Sequence, residues 1–256
     1  MNYSLNSIPE RTQQPRSSGL TMVMDKGLSI REVEDMLSIA GPYIDIVKLG
    51  WATSYVTPQL DKKLDVYRAA GVPFYFGGTL FELFIARNQF DDYRRVADKY
   101  KLQYVEVSDG SLEMAQEDKC KYITTLAKDF TVLSEVGSKD AEKIIAPYKW
   151  IAMMKNEIEA GAWKVIAEAR EAGNVGIFRG TGEVRSGLVD EILTQIPAET
   201  IIWEAPQKAQ QTWFIKLLGA NVNLGNIAPN EIIPLETLRL GIRSDTFHHF
   251  LDGNHG

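Results

Sequence analysis

Eight times along the chain, a short apolar run gives way to a stretch with helical character. The runs are Leu20-Thr-Met-Val-Met-Asp25, Tyr43-Ile-Asp-Ile-Val-Lys48, Val72-Pro-Phe-Tyr-Phe76 and Leu102-Gln-Tyr-Val-Glu-Val107 in the first half. In the second half they are Val132-Leu-Ser-Glu-Val136, Trp163-Lys-Val-Ile-Ala167, Thr200-Ile-Ile-Trp203 and Ala220-Asn-Val-Asn-Leu224. Strands alternating with helices build a parallel sheet, because each parallel return needs a crossover. Ser29 is placed to cap the first helix and Gly71 to stop the second. Gly173, Gly176, Gly180 and Gly182 predict a long loop after the sixth strand. Eight such units in 256 residues have the size of a TIM barrel. A doubly wound open sheet is the alternative, but no Gly-x-Gly-x-x-Gly follows the first strand. The predicted fold is therefore α/β, a single-domain (β/α)8 barrel over residues 19–246, with an irregular arm at 1–18 and a tail at 247–256.

Nearly every run ends in charged or amide residues. In barrels of this kind the active site lies at the carboxyl ends of the strands. The candidates are Asp25, Lys26, Lys48, Thr79, Glu82, Glu106, Asp109, Glu135, Lys139, Glu168, Arg170, Glu204, Lys208, Asn223 and Asn226. Any one of them could be a helix cap or a solvated loop charge; it is the ring of them that argues for a site. Four of the five tryptophans, those at 51, 163, 203 and 213, read as packing between barrel and helices, and Cys120 as a buried small residue. Gly77-Gly78 at a strand-to-helix turn is a weak signal for a phosphate cradle.

Composition narrows the chemistry. A net charge of −6 argues against a general nucleic-acid binder. Cys120 is the only cysteine, so an internal disulfide and a cysteine zinc site are excluded. No apolar run approaches the roughly 20 residues that span a bilayer, and the N-terminus lacks the apolar core of a signal peptide. A cytoplasmic setting is the expectation. All three histidines, His248, His249 and His255, fall in the last nine residues. Acid–base chemistry must then come from Lys, Asp, Glu, Tyr or a metal-bound water.

Several stretches together resemble the phosphosulfolactate synthase family over residues 18–247, in the same order. They include Thr21-Met-Val-Met-Asp-Lys-Gly27, Tyr43-Ile-Asp-Ile-Val-Lys-Leu-Gly-Trp51, Gly77-Gly-Thr-Leu-Phe-Glu82 and Val105-Glu-Val-Ser-Asp-Gly-Ser111. Ser134-Glu-Val-Gly137, Glu204-Ala-Pro-Gln-Lys208, Val222-Asn-Leu-Gly-Asn-Ile227 and Leu235-Glu-Thr-Leu-Arg239 continue the match. Plant heat-stress proteins of the same family are also similar. Two departures stand out: Ala52 replaces an expected Gly, and Glu168-Ala-Arg-Glu-Ala-Gly173 has Ala at two Gly/Ser-like positions.

The resemblance implies a TIM-barrel lyase that requires Mg²⁺ and joins sulfite to phosphoenolpyruvate in coenzyme M biosynthesis. It also implies a homo-oligomer, possibly a trimer. The residues accommodate that chemistry. Mg²⁺ takes hard oxygen ligands, and Glu106, Glu135 and Glu168 end three consecutive strands, so they are the expected metal set. Lys139, four residues after Glu135, is the expected proton donor, with Glu135 beside it as the second catalytic residue and Lys48 the rival donor. Lys26, Lys48, Thr79, Arg170, Lys208, Asn223 and Asn226 are the expected contacts to the anionic substrates. Two other readings stay open: a lyase acting on another enol phosphate or phosphorylated substrate, and a non-catalytic stress protein that keeps the barrel.

Overall fold

The computed structural model describes residues 2–138 and 145–251. Eight strands, β1 (Thr21–Asp25), β2 (Ile46–Leu49), β3 (Phe74–Phe76), β4 (Tyr104–Val107), β5 (Thr131–Val136), β6 (Ala162–Ala167), β7 (Ile201–Glu204) and β8 (Leu224–Ile227), form one parallel sheet. Its order is β3-β2-β1-β8-β7-β6-β5-β4, with β3 and β4 brought into contact. This is a nearly closed (β/α)8 barrel, as the alternation predicts. The helices are α1 (Ile30–Ala40), α2 (Thr53–Val56), α3 (Leu60–Ala69), α4 (Gly78–Ile85), α5 (Phe90–Lys99) and α6 (Gln116–Leu126). They continue with α7 (Pro147–Glu159), α8 (Ser186–Leu193), α9 (Lys208–Leu218), α10 (Ile232–Arg239) and α11 (Phe247–Leu251). Among the described residues no helix is long and apolar enough to cross a membrane.

The chain's period-2 pattern sorts its side chains into two cores. Outward residues such as Val47, Val105, Val132, Val165, Ile201 and Trp203 pack beneath the helices. Inward residues Met22, Ile46, Tyr75, Leu133, Ile166 and Ile202 fill the barrel. Two residues further along five strands, the inward position is ionisable: Lys48, Glu106, Glu135, Glu168 and Glu204, all buried. An apolar floor thus lies under a charged layer at the carboxyl ends of the strands.

One boundary differs from the sequence expectation and moves a residue relative to the site. The last strand is Leu224–Ile227 rather than 220–224, so Asn223 precedes it. The Asn223 amide accepts from Leu20 N–H and donates to the carbonyls of Glu199 and Ile201. It ties the amino-terminal ends of the strands together, at the opposite face from the site. The helix before β6, α7, begins at Pro147. The long loop after β6 is present, folded on itself by an antiparallel bridge between Phe178 and Val184. The arm at 2–18 contains no helix or strand; Arg11 straps it to Glu236 and Arg16 to Asp45.

Candidate active site

Lys48 is the centre of the charged layer. Its ammonium lies 3.1 Å from Glu106 Oε1, 3.1 Å from Glu135 Oε2 and 3.4 Å from Glu204 Oε1. Burial by itself pulls this lysine down, but the three carboxylates outweigh it and hold it well above the ordinary lysine value. Lys48 is thus held in its charged form among the glutamates. Expected as a contact to a substrate anion, Lys48 lines the cavity with its ammonium engaged by three carboxylates.

Each glutamate has a further tether. Glu106 Oε1 accepts the Gly78 N–H at 2.5 Å, across the junction of β3 with β4. Burial pushes the Glu106 carboxyl up, Lys48 pulls it down and Glu135 pushes it up again. Glu135 Oε1 accepts the Ser108 hydroxyl at 2.9 Å. Glu204 Oε2 accepts the Ala169 N–H at 2.9 Å, and Glu168 Oε1 the Arg170 N–H at 2.5 Å. Gly77 and Gly78 serve close packing at this junction. A β-carbon on Gly78 would overlap Ser108 and come within 2.7 Å of Glu106 Oε1, and one on Gly77 would meet Lys48 Cε at 3.0 Å.

Over this layer opens a cavity of about 260 Å³. Lys48, Thr79, Glu106, Glu135, Glu168, Arg170 and Asn226, all expected from the sequence, line it together with Trp51, Ser111 and Glu204. Trp51, read from the sequence as packing, is half exposed at its rim, with the Lys26 ammonium 5.1 Å from its ring. Arg170 and Asn226 both have left-handed backbones, at φ 58° and 56°. Ala52, the departure from the family's expected Gly, is left-handed as well at φ 54°, which is the conformation that favours glycine.

Other expected residues stand elsewhere. Lys208 is on the surface, paired with Asp245 at 2.9 Å. Asp25 is enclosed by the Lys63 ammonium at 2.6 Å, the Tyr67 hydroxyl at 2.9 Å and the N–H groups of Gly27 and Leu28, so it fastens β1 to α3. Asp109 is paired with Lys119. Glu82, buried in α4, accepts the Ser111 N–H at 2.8 Å and the Ser108 hydroxyl at 3.2 Å. Lys139 lies outside the described residues. Cys120 is half-buried, not fully buried.

Two of the three expected metal ligands, Glu135 and Glu168, stand together with a third carboxylate. Among the described residues, Glu135, Glu168 and Glu204 each offer a carboxylate oxygen within 4.8 Å of the others. Glu106, expected in the set, accepts the Gly78 N–H and pairs with Lys48 through its Oε1. The buried Asn226 amide oxygen, in the same cavity lining, has no hydrogen-bond partner among the described residues. Three carboxylates and an unpaired amide oxygen form an all-oxygen donor set, which suits a hard divalent cation such as Mg²⁺. Sequence position alone gave no reason to prefer Glu204 over Glu106; the grouping of Glu204 with Glu135 and Glu168 follows from the distances between their oxygens.

Fold and site together define a barrel enzyme that handles anionic chemistry on a buried carboxylate cluster. The family profile of (2R)-phospho-3-sulfolactate synthase (ComA) matches residues 9–245. The phosphosulfolactate synthase of Bacillus subtilis (strain 168) is 42% identical over 250 residues, 96% of this chain and 99% of that protein. That of Methanothermobacter thermautotrophicus is 40% identical over 244 residues, 93% of this chain and 95% of that one. Among solved structures, 3-hexulose-6-phosphate synthase from Salmonella typhimurium superposes with a TM-score of 0.55 at 14% identity, covering 88% of this chain and 100% of that one; this likeness concerns the fold alone. The chain belongs to the phosphosulfolactate synthase family, a family of lyase-type enzymes.

Proposed function

We propose that the protein catalyses the Mg²⁺-dependent addition of sulfite to phosphoenolpyruvate, giving (2R)-2-phospho-3-sulfolactate. The observation that carries the reading is the buried carboxylate cluster of Glu135, Glu168 and Glu204, in a cavity that Asn226 also lines. In the reaction the sulfite sulfur bonds to the methylene carbon of the enol phosphate. The double-bond electrons move toward the carboxylate, and the phosphate-bearing carbon then takes up one proton. Mg²⁺ held by the three glutamates and Asn226 would supply a Lewis acid for the negative charge that develops on that carboxylate.

The chain's own residues divide the remaining tasks. Lys48 balances the acid cluster and fixes Glu135 and Glu204. Held by carboxylates, it is a poor proton donor, which favours Lys139 for that step. Arg170 and the hydroxyls of Thr79 and Ser111 line the cavity where the anionic substrates would enter, and an arginine fork suits phosphate, carboxylate or sulfite oxygens. Lys26, above Trp51, adds positive charge at the rim. A cytoplasmic homo-oligomer is part of the same proposal.

Phosphorus NMR of the protein with phosphoenolpyruvate, sulfite and Mg²⁺ tests the reading. The enol phosphate signal should be replaced by that of a phosphate monoester, only when sulfite and the metal are both present. An unchanged spectrum across metals and pH would reject it. Lys139→Ala should lower turnover at least about a hundredfold while leaving substrate binding near the parent value; near-parent turnover would remove Lys139 from the mechanism.

A further inference from the structure

Lys119 lies behind the barrel wall and does not line the cavity, yet it is tied to two parts of the site. It stands on α6, with its side chain 1% exposed. Its three N–H groups have three acceptors: Asp109 Oδ1 at 2.8 Å, Glu157 Oε1 at 3.0 Å and the main-chain carbonyl of Glu135 at 2.6 Å. Glu157, on α7, is fully buried and accepts from the Ser134 hydroxyl at 2.6 Å and from Gln116 at 3.1 Å.

The position of this ammonium follows from the ladder. Thr131 N–H bonds the Gln103 carbonyl, so alternate residues of β5, Leu133 and Glu135 among them, direct their backbone groups toward β4. Val136 faces the other way, accepting from Glu168 N–H. The β4–β5 pairing ends at Val107 opposite Ser134, where β4 turns into the 108–111 loop. One residue later, the Glu135 carbonyl meets Lys119 where the ladder has stopped. The same ammonium holds Asp109 on the departing loop. That loop carries Ser108, which donates to Glu135, and Ser111, which lines the cavity. The clip stands where the two strands must part to open the site.

We propose that Lys119 is a positioning residue for the reaction: paired with Glu157, it fixes the Glu135 backbone and the 108–111 loop so that Glu135 and Ser111 face the cavity in register. Burying an ion pair is a poor route to stability, since apolar replacements of the same volume are often neutral or stabilising. Three acceptors on three separate elements are, by contrast, a direct route to geometry. The inference rests on the reading of Glu135 as part of the active cluster.

The test is Lys119→Met combined with Glu157→Met, which removes the pair without leaving either charge buried alone. The unfolding midpoint should stay within about 5 °C of the parent. Hydrogen exchange of the peptide spanning 108–112 should accelerate at least about tenfold. Turnover should fall at least about tenfold, with KM for phosphoenolpyruvate within about threefold. Loop exchange and kcat both within about twofold of the parent would overturn the proposal, as would a loss confined to the unfolding midpoint. If the double variant does not fold, Asp109→Asn is judged by the same exchange and kinetic readouts. If the parent enzyme itself turns over neither substrate, it is the reaction reading that fails, and loop exchange alone decides the role of Lys119.

Discussion

Two buried lysines in this barrel are pushed in opposite directions, and their partners explain why. Lys48 has three carboxylates around it and stays charged. Lys164, at the amino-terminal end of β6, has the Glu199 carbonyl at 2.6 Å and the Trp163 ring at 4.6 Å. Burial pulls Lys164 down to about 8, opposed only partly by the Glu199 charge. Because its folded value lies below the ordinary 10.5, the unfolded chain binds more protons between those limits. Stability from this group therefore rises as pH climbs from about 8 to about 10.5 and is lowered below that window. Denaturant unfolding of the parent and Lys164→Met across this range should show a steeper rise in the parent. Equal slopes would contradict the assignment.

At the scale of elements, the junction of β3 and β4 decides how the barrel closes. These strands touch without ladder pairing, and the hydrogen bond from Gly78 at the start of α4 to Glu106 on β4 spans the gap. Gly78→Ala should destabilise the fold by about 1–3 kcal/mol, the usual cost of overpacking, and lower turnover by displacing Glu106 and Ser108. Urea unfolding and steady-state kinetics check this, and parent-like values in both would rule out the junction as a constraint. The elements were largely legible in the sequence: each strand appears as an apolar run and Ser29 forms a capping box with Glu32. The last strand was misplaced because Ala220-Asn-Val-Asn-Leu224 carries apolar residues at alternate positions, while the ladder forms over Leu224–Ile227. That shift of register sent Asn223 to one face of the barrel and Asn226 to the other.

On the scale of the whole molecule, inward alternation joins sequence to function. Ile46 and Lys48, Tyr104 and Glu106, Leu133 and Glu135, Ile166 and Glu168, Ile202 and Glu204 repeat one pattern, an apolar or aromatic residue followed two places later by a charge. A closed parallel sheet turns that spacing into a floor and a charged layer. The ring of candidates was therefore readable. The division of labour within it was not, because it depends on contacts from distant segments: Gly78 on Glu106, Ala169 on Glu204, Lys119 behind Glu135. The proposed metal set takes Glu204 with Glu135 and Glu168, whose carboxylate oxygens lie within 4.8 Å of one another. Titration of Mn²⁺ into the metal-free protein, followed by water proton relaxation, reads that choice. The parent should bind, Glu204→Gln should bind at least about tenfold more weakly, and Glu106→Gln should remain within about threefold of the parent. Parent-like affinity in Glu204→Gln, with the loss appearing in Glu106→Gln instead, would contradict the site described for this enzyme.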